Sequence, residues 1–97
     1  MVLGKVMGTM VATQKDESLV GITLLIVQAV DFELKPLSSF TVAADSVGAG
    51  VGEIVLCANG SSARLTQVTR DKPVDSVVMA IVDSFEIEGT VRYRKHE

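Results

Sequence analysis

The 97-residue sequence contains no tryptophan, three phenylalanines, one tyrosine, one cysteine and one histidine. Each shortage removes a class of function. A single thiol, Cys57, cannot close an intrachain disulfide, and no signal-peptide pattern opens the sequence, so a reducing, cytoplasmic setting is expected. The sole histidine, His96, stands one residue from the end, a poor place from which to build Ser-His-Asp or Cys-His chemistry. Zinc requires three or four nitrogen, sulfur or carboxylate ligands, and one Cys with one His do not supply them, so no metal or cofactor is expected. Single-stranded nucleic-acid binding needs aromatic platforms in a positive groove. Here aromatics are 4% of the chain and the net charge is −3, which argues against a nucleic-acid partner. The longest uncharged run, Ser18 to Val30, has 13 residues. That is short of the roughly 20 apolar residues that span a bilayer.

What is present is aliphatic. Hydrophobic residues make up 47% of the chain, so the core must be built from Val, Leu, Ile, Ala and Met. The length allows one domain, 1–97. Val2 to Thr13 reads as a strand in which Gly4 and Gly8 mark a bend or a close backbone approach. Ile22 to Val30 is a second strand, Asp31 to Leu37 a turn containing Pro36, and Ser39 to Asp45 a third strand. Val47 to Gly52 (VGAGVG) is a glycine-rich loop before a fourth strand, Glu53 to Ala58. Ser61 is placed to N-cap one or two helical turns, the only helix expected. Gln67 to Lys72 is polar. Val77 to Ile87 reads as one long strand, and Glu88-Gly89-Thr90 turns it into a hairpin with Val91 to Arg94. An all-β chain with this many strands in so few residues predicts a small barrel of the oligonucleotide/oligosaccharide-binding type, with a sandwich as the alternative.

The candidate sites are sparse. Gly48-x-Gly50-x-Gly52 lacks the spacing and the following helix of a dinucleotide fingerprint and reads as a tight turn. Gly60-Ser61-Ser62-Ala63 could face an anion, but simple capping explains it better. Asp45, Asp75 and Asp83 border apolar segments. Asp45 is expected to bond its own loop's backbone, Asp75 to cap the turn after Pro73, and Asp83 to pair with an arginine such as Arg64. Cys57, Met7, Met10, Met79, Phe40 and Phe85 are read as core, Phe32 as exposed. Arg92, Arg94, Lys95 and His96 are read as a solvated tail. No catalytic set emerges, so an enzyme is not expected.

A resemblance adds to this reading. Gly8-Thr9, Thr13-Gln14-Lys15, Leu19, Gly21, Leu24-Leu25 and Val27-Gln28 resemble the N-terminal signature of the EutN/CcmL family of microcompartment shell vertex proteins. The stretch from Ala43 to Gly50, Gly52-Glu53, Val55-Leu56 and Gly60 to Arg64 is similar to that family's most recognisable block. Pro73-Val74-Asp75 and Ala80 to Asp83 match its C-terminal part. The resemblance implies a five-stranded barrel with one short helix. It also implies a homopentamer, with hexamers possible in isolation, that caps the vertices of an icosahedral shell tiled by hexameric shell proteins. A ring of identical subunits closes through two unlike faces. Small residues allow close approach, so Val47, Gly48, Ala49, Gly50, Gly60, Ser61, Ser62 and Arg64 are the expected contacts or rim of a central opening, with Arg64 as charged anchor. A ligand-binding barrel of the oligonucleotide type remains the alternative. The GSSAR form and short C-terminus lean toward a catabolic compartment.

Overall fold

A computed structural model of the chain describes residues 1–96. The strands are β1 (Val2–Met10), β2 (Leu24–Val30), β3 (Pro36–Asp45), β4 (Ile54–Asn59), β5 (Ser76–Ile81), β6 (Ser84–Ile87) and β7 (Thr90–Arg94). Five of them close a barrel in the order β1-β2-β3-β5-β4, with β4 returning to β1. Only β3 and β5 run parallel, meeting at Ala44–Val77 and Asp45–Val78. β6 and β7 form a separate two-stranded sheet.

Period-2 alternation explains how so short a chain fills two cores. One residue of each adjacent pair on β3, β4 and β5 points inward: Ala43, Cys57 and Val78 join Val6, Leu25, Val27 and Val55 inside the barrel. Their neighbours Ala44, Ala58 and Val77 point outward and meet Ala63 under the Gly60–Arg64 turn, with Ile22, Val74 and Met79 packed around them. The barrel is narrow, and Gly4 shows how narrow. A Cβ there would stand 2.5 Å from Val27 Cγ1 and 3.2 Å from the Gln28 carbonyl oxygen, so the backbone of β1 approaches β2 only because position 4 is glycine. A bulge between Val6 and Gly8 then bends β1.

Several expected boundaries move. β1 ends at Met10 instead of running to Thr13, and β3 begins at Pro36, inside the expected turn. Proline is admissible there because it opens the strand. The long Val77–Ile87 strand is two strands, β5 and β6, broken at Val82-Asp83. The expected helix at Gly60–Arg64 is a 3₁₀ turn whose N-cap position is Asn59 rather than Ser61, with no side-chain capping bond, and a second 3₁₀ turn lies at Glu17–Leu19. Met7, Met10 and Phe40, read as core, are 46%, 43% and 58% exposed. Their strand positions face outward, where an apolar side chain is tolerated but not buried. Cys57 is buried as expected, and Phe32 is exposed.

Candidate oligomer interface

The glycine-rich loop after β3 is fixed from inside. Asp45 Oδ1 accepts from the amides of Val47 and Gly48, each at 3.0 Å, and Oδ2 accepts from Ala49 N at 3.1 Å. Ser46 Oγ donates to the Val78 carbonyl on β5. Gly52 N donates to Val6 O at 2.8 Å on β1, and Ala49 packs against the inner core. The loop therefore runs from the β5 side to the β1 side across one end of the barrel. Gly48 and Gly52 take φ of +75° and +91°, a region closed to most side chains, which is why the sequence needs glycine at these bends. Val47, Gly48 and Gly50 face solvent.

Glu53 completes this corner. Its Oε1 accepts from Gly50 N at 2.6 Å, and its Oε2 pairs with Lys95 Nζ at 2.6 Å, with 22% and 27% of the two side chains exposed. The bonds from Lys95 and Gly50 hold the Glu53 carboxyl below its ordinary value, and the bond to Glu53 raises Lys95. Lys95 is thus no solvated tail: its own N–H also donates to Asp83 O at 2.8 Å.

The Gly60–Arg64 turn lies at the other end of β4. Gly60 N donates to Asp75 O at 2.8 Å, so Asp75 serves this turn through its carbonyl. Thr69, fully buried, donates to Ala63 O at 2.6 Å and receives support from Thr66, whose Oγ1 accepts from Thr69 N at 3.0 Å. Arg64 is exposed beside Gly60, Ser61, Pro73, Val74 and Asp75, which line a shallow cleft with it. The expected Asp83–Arg64 pair does not form. β4 and β5 run antiparallel with Val55 opposite Ile81 and Asn59 opposite Ser76, so the two residues sit at opposite ends of the pair.

The structure therefore brings Val47–Gly50 together with Glu53 and Lys95. It keeps them apart from Gly60–Arg64 by the length of β4, about 20 Å for six residues at ~3.3 Å each. Sequence reasoning missed Glu53–Lys95, which no local spacing announces. It also missed the Thr66-x-x-Thr69 brace, whose three-residue hydroxyl spacing was a readable signal. Chemistry is not offered at Cys57: burial pushes its thiol up to about 11, leaving almost no thiolate near neutral pH. Among the described residues no cluster of His, Cys, Asp or Glu could hold a metal ion. No helix among the described residues is long and apolar enough to cross a membrane.

Residues 1–83 match the family described as ethanolamine utilisation protein EutN/carboxysome. The chain belongs to the EutN/CcmL family. The carboxysome shell vertex protein CcmL of Gloeobacter violaceus is 41% identical over 97 residues, covering 100% of this chain and 97% of its own length. Its solved structure matches with a TM-score of 0.95 over 100% of both chains. The GrpN pentameric microcompartment shell protein from Rhodospirillum rubrum is 48% identical with a TM-score of 0.82, over 90% of this chain and 99% of that one. The microcompartment shell vertex protein EutN of Salmonella typhimurium is 40% identical over 98% of this chain and 96% of its own length. Both a carboxysome and an EutN member extend over the C-terminal residues, so C-terminal length does not sort this EutN/CcmL chain into either class.

Proposed function

We propose that this chain is a vertex subunit of a bacterial microcompartment shell, five copies of which form a ring that closes a corner of the polyhedron. The observation that carries this is the end-to-end likeness to shell vertex proteins, one of them pentameric, on a barrel whose interior is filled by its own side chains. The role is geometric. Flat facets of hexameric shell proteins cannot close on themselves without fivefold units, and this chain supplies them. It acts in the cytoplasm as part of the shell and performs no catalysis. Its partners are four further copies of itself and the hexamers around the corner. The nucleic-acid reading is not favoured, because the chain is net acidic and Phe85 is engaged by Phe32 and Tyr93.

The two unlike faces that a ring requires are supplied by the two ends of β4. At one end Val47, Gly48 and Gly50 present the loop that Ala49 anchors from below. At the other, Gly60, Ser61, Ser62 and Arg64 form the opposing surface, with Arg64 as its charged anchor. Native mass spectrometry of the purified chain is expected to show five subunits. Arg64→Ala is expected to weaken the ring by about 1–2 kcal/mol per contact. Cells lacking the chain are expected to make shells that fail to close, and normally sealed shells would reject the vertex role.

A further inference from the structure

The barrel is closed unevenly. β3 is 10 residues long, yet β5 pairs with it only at Ala44 and Asp45. Asp45 N donates to Thr23 O on the β2 side. Alternation along the strand therefore turns the backbone N–H and C=O of Phe40 and Val42 towards the β5 side, where β5 offers them no partner. From Pro36 to Phe40 every residue is exposed, and Phe40 and Val42 are 58% and 41% exposed. β1 repeats the arrangement at its far end. β4 pairs with Val2 to Lys5, and the last bonds on that side join Val6 to the backbone of Gly52 and Glu53. Beyond the bulge between Val6 and Gly8, the stretch to Met10 has no strand on that side among the described residues. Met7 and Met10 are 46% and 43% exposed.

The two free stretches lie at diagonally opposite corners of one three-stranded sheet. Gly8 and Met10 stand opposite Ile26 and Leu24, level with Val42 and Ala44, where β3 begins to pair with β5. Phe40 stands opposite Gln28, level with Lys5, where β1 is paired with β4. Each corner adjoins one of the two surfaces described above. The Gly52–Val6 bond ties the glycine loop to the β1 corner, and Val42 shares a cleft with Pro73, Val74 and Asp75, which also flank Arg64. Exposed strand edges are normally blunted by charge. Residues 6–14 and 36–44 carry none, and Pro36 blunts only the first position of β3. The two-stranded ribbon of β6 and β7, held to the barrel by the Lys95–Glu53 clamp, is protected in the usual way by Glu86, Arg92 and Arg94.

We infer that the ring is zipped by backbone pairing between copies: the Leu37–Val42 edge of β3 in one copy receives the Met7–Met10 end of β1 in the next. The inference rests on the vertex reading and deepens it by naming the strands that meet. A second copy is the occupant because the chain itself carries both halves, two unlike edges at opposite corners, as a head-to-tail ring requires. The pentameric relative is 48% identical over 90% of this chain. Strand addition gives the free backbone donors and acceptors partners. It also covers Phe40, Val42 and Met10, which the strand register places on the same outer face of the sheet.

The test is amide exchange on the full wild-type chain, read residue by residue in the assembled ring and after dissociation by dilution. The amides of Phe40 and Val42 are expected to exchange about tenfold or more slowly in the ring, because only pairing between copies protects them. Those of Thr41 and Ala43, which face β2, are expected to be protected in both states. Val42→Lys and Met10→Lys place a charge at either corner on exposed positions, and each is expected to raise the concentration at which the ring dissociates by about tenfold or more. Wild-type rings in which Phe40 and Val42 exchange as fast as in the dissociated chain overturn the pairing while leaving the vertex reading standing. So do Val42→Lys and Met10→Lys rings that dissociate at the wild-type concentration. A wild-type chain that is monomeric at every concentration overturns both.

Discussion

The barrel and the C-terminal hairpin use the same alternating strand chemistry, yet different forces hold them. In the barrel every strand has a neighbour on both sides, and the inner residues Val6, Val55 and Val78 are fully buried. In the hairpin each strand has one neighbour, and the attachments to the rest of the molecule include a ring contact and an ion pair. Area burial favours the first by about 25 cal/mol for each Å² of apolar surface. Partly exposed ion pairs contribute little on average. A small domain can thus contain one element closed on itself and one joined to it by a few contacts, and the family match stops where the first gives way to the second.

The strongest way to break this comparison is to damage each part equally. Leu25 is 1% exposed at the centre of the barrel, and Leu25→Ala is expected to cost about 2–5 kcal/mol through lost contacts and the cavity left behind. Val91→Ala in the hairpin is expected to stay within about 0.5 kcal/mol when measured on dilute, dissociated protein. Chemical denaturation of both variants checks this, and equal losses would mean that the hairpin belongs to the barrel's cooperative unit. Gly4→Val attacks the same interior by overfilling. With Val27 Cγ1 already 2.5 Å from the added Cβ, a loss of about 1–3 kcal/mol or more is expected.

How much of this was readable beforehand follows from the same contrast. The strand-rich pattern, the glycine loop, the buried Cys57 and Asp45's service to its own loop were legible because each depends on neighbours in sequence. Phe40 was misread because it shares the more apolar face of β3 with Val42 and Ala44, whereas the face turned into the barrel is the one carrying Thr41 and Ala43, and hydrophobicity alone does not say which face a closed barrel hides. The break at Val82-Asp83 was invisible in a continuous aliphatic run: it occurs where pairing with β4 ends, a fact about partners in space. Glu53 and Lys95 meet across the chain, and nothing local to either marks the other. Of the expected contact residues, the sequence placed two clusters but not their separation, since the ends of a strand look adjacent when only the chain order is known.

A smaller effect is expected at the loop that seals the barrel. Asp45→Ala removes the acceptor for the amides of Val47, Gly48 and Ala49. Leaving those donors unpaired costs about 1–3 kcal/mol, least where water can replace the carboxylate. Amide exchange is expected to rise at positions 47–49 first, with β2 and β5 protected as before. A uniform rise across the barrel would instead make this loop part of the core, erasing the difference between cap and interior.

The finest distinction concerns the clamp, and its sign follows from the two shifts. Glu53 is lowered from its ordinary 4.5, so the stability it contributes is present above that value and is lost as pH falls through its folded-state value. Lys95 is raised from its ordinary 10.5, so its contribution is present below that value and is lost as pH rises through its folded-state value. Between these limits the clamp holds. Tyr93 is the only tyrosine, and the chain has no tryptophan, so intrinsic fluorescence reports on the hairpin alone. On the acid side, below pH 4.5, Tyr93 emission is expected to change before the far-ultraviolet signal of the barrel, and Glu53→Gln is expected to show the altered emission already at neutral pH. If hairpin and barrel signals move together in both proteins, the ion pair does not orient the ribbon, and its direction must come from the Phe32–Phe85 contact instead.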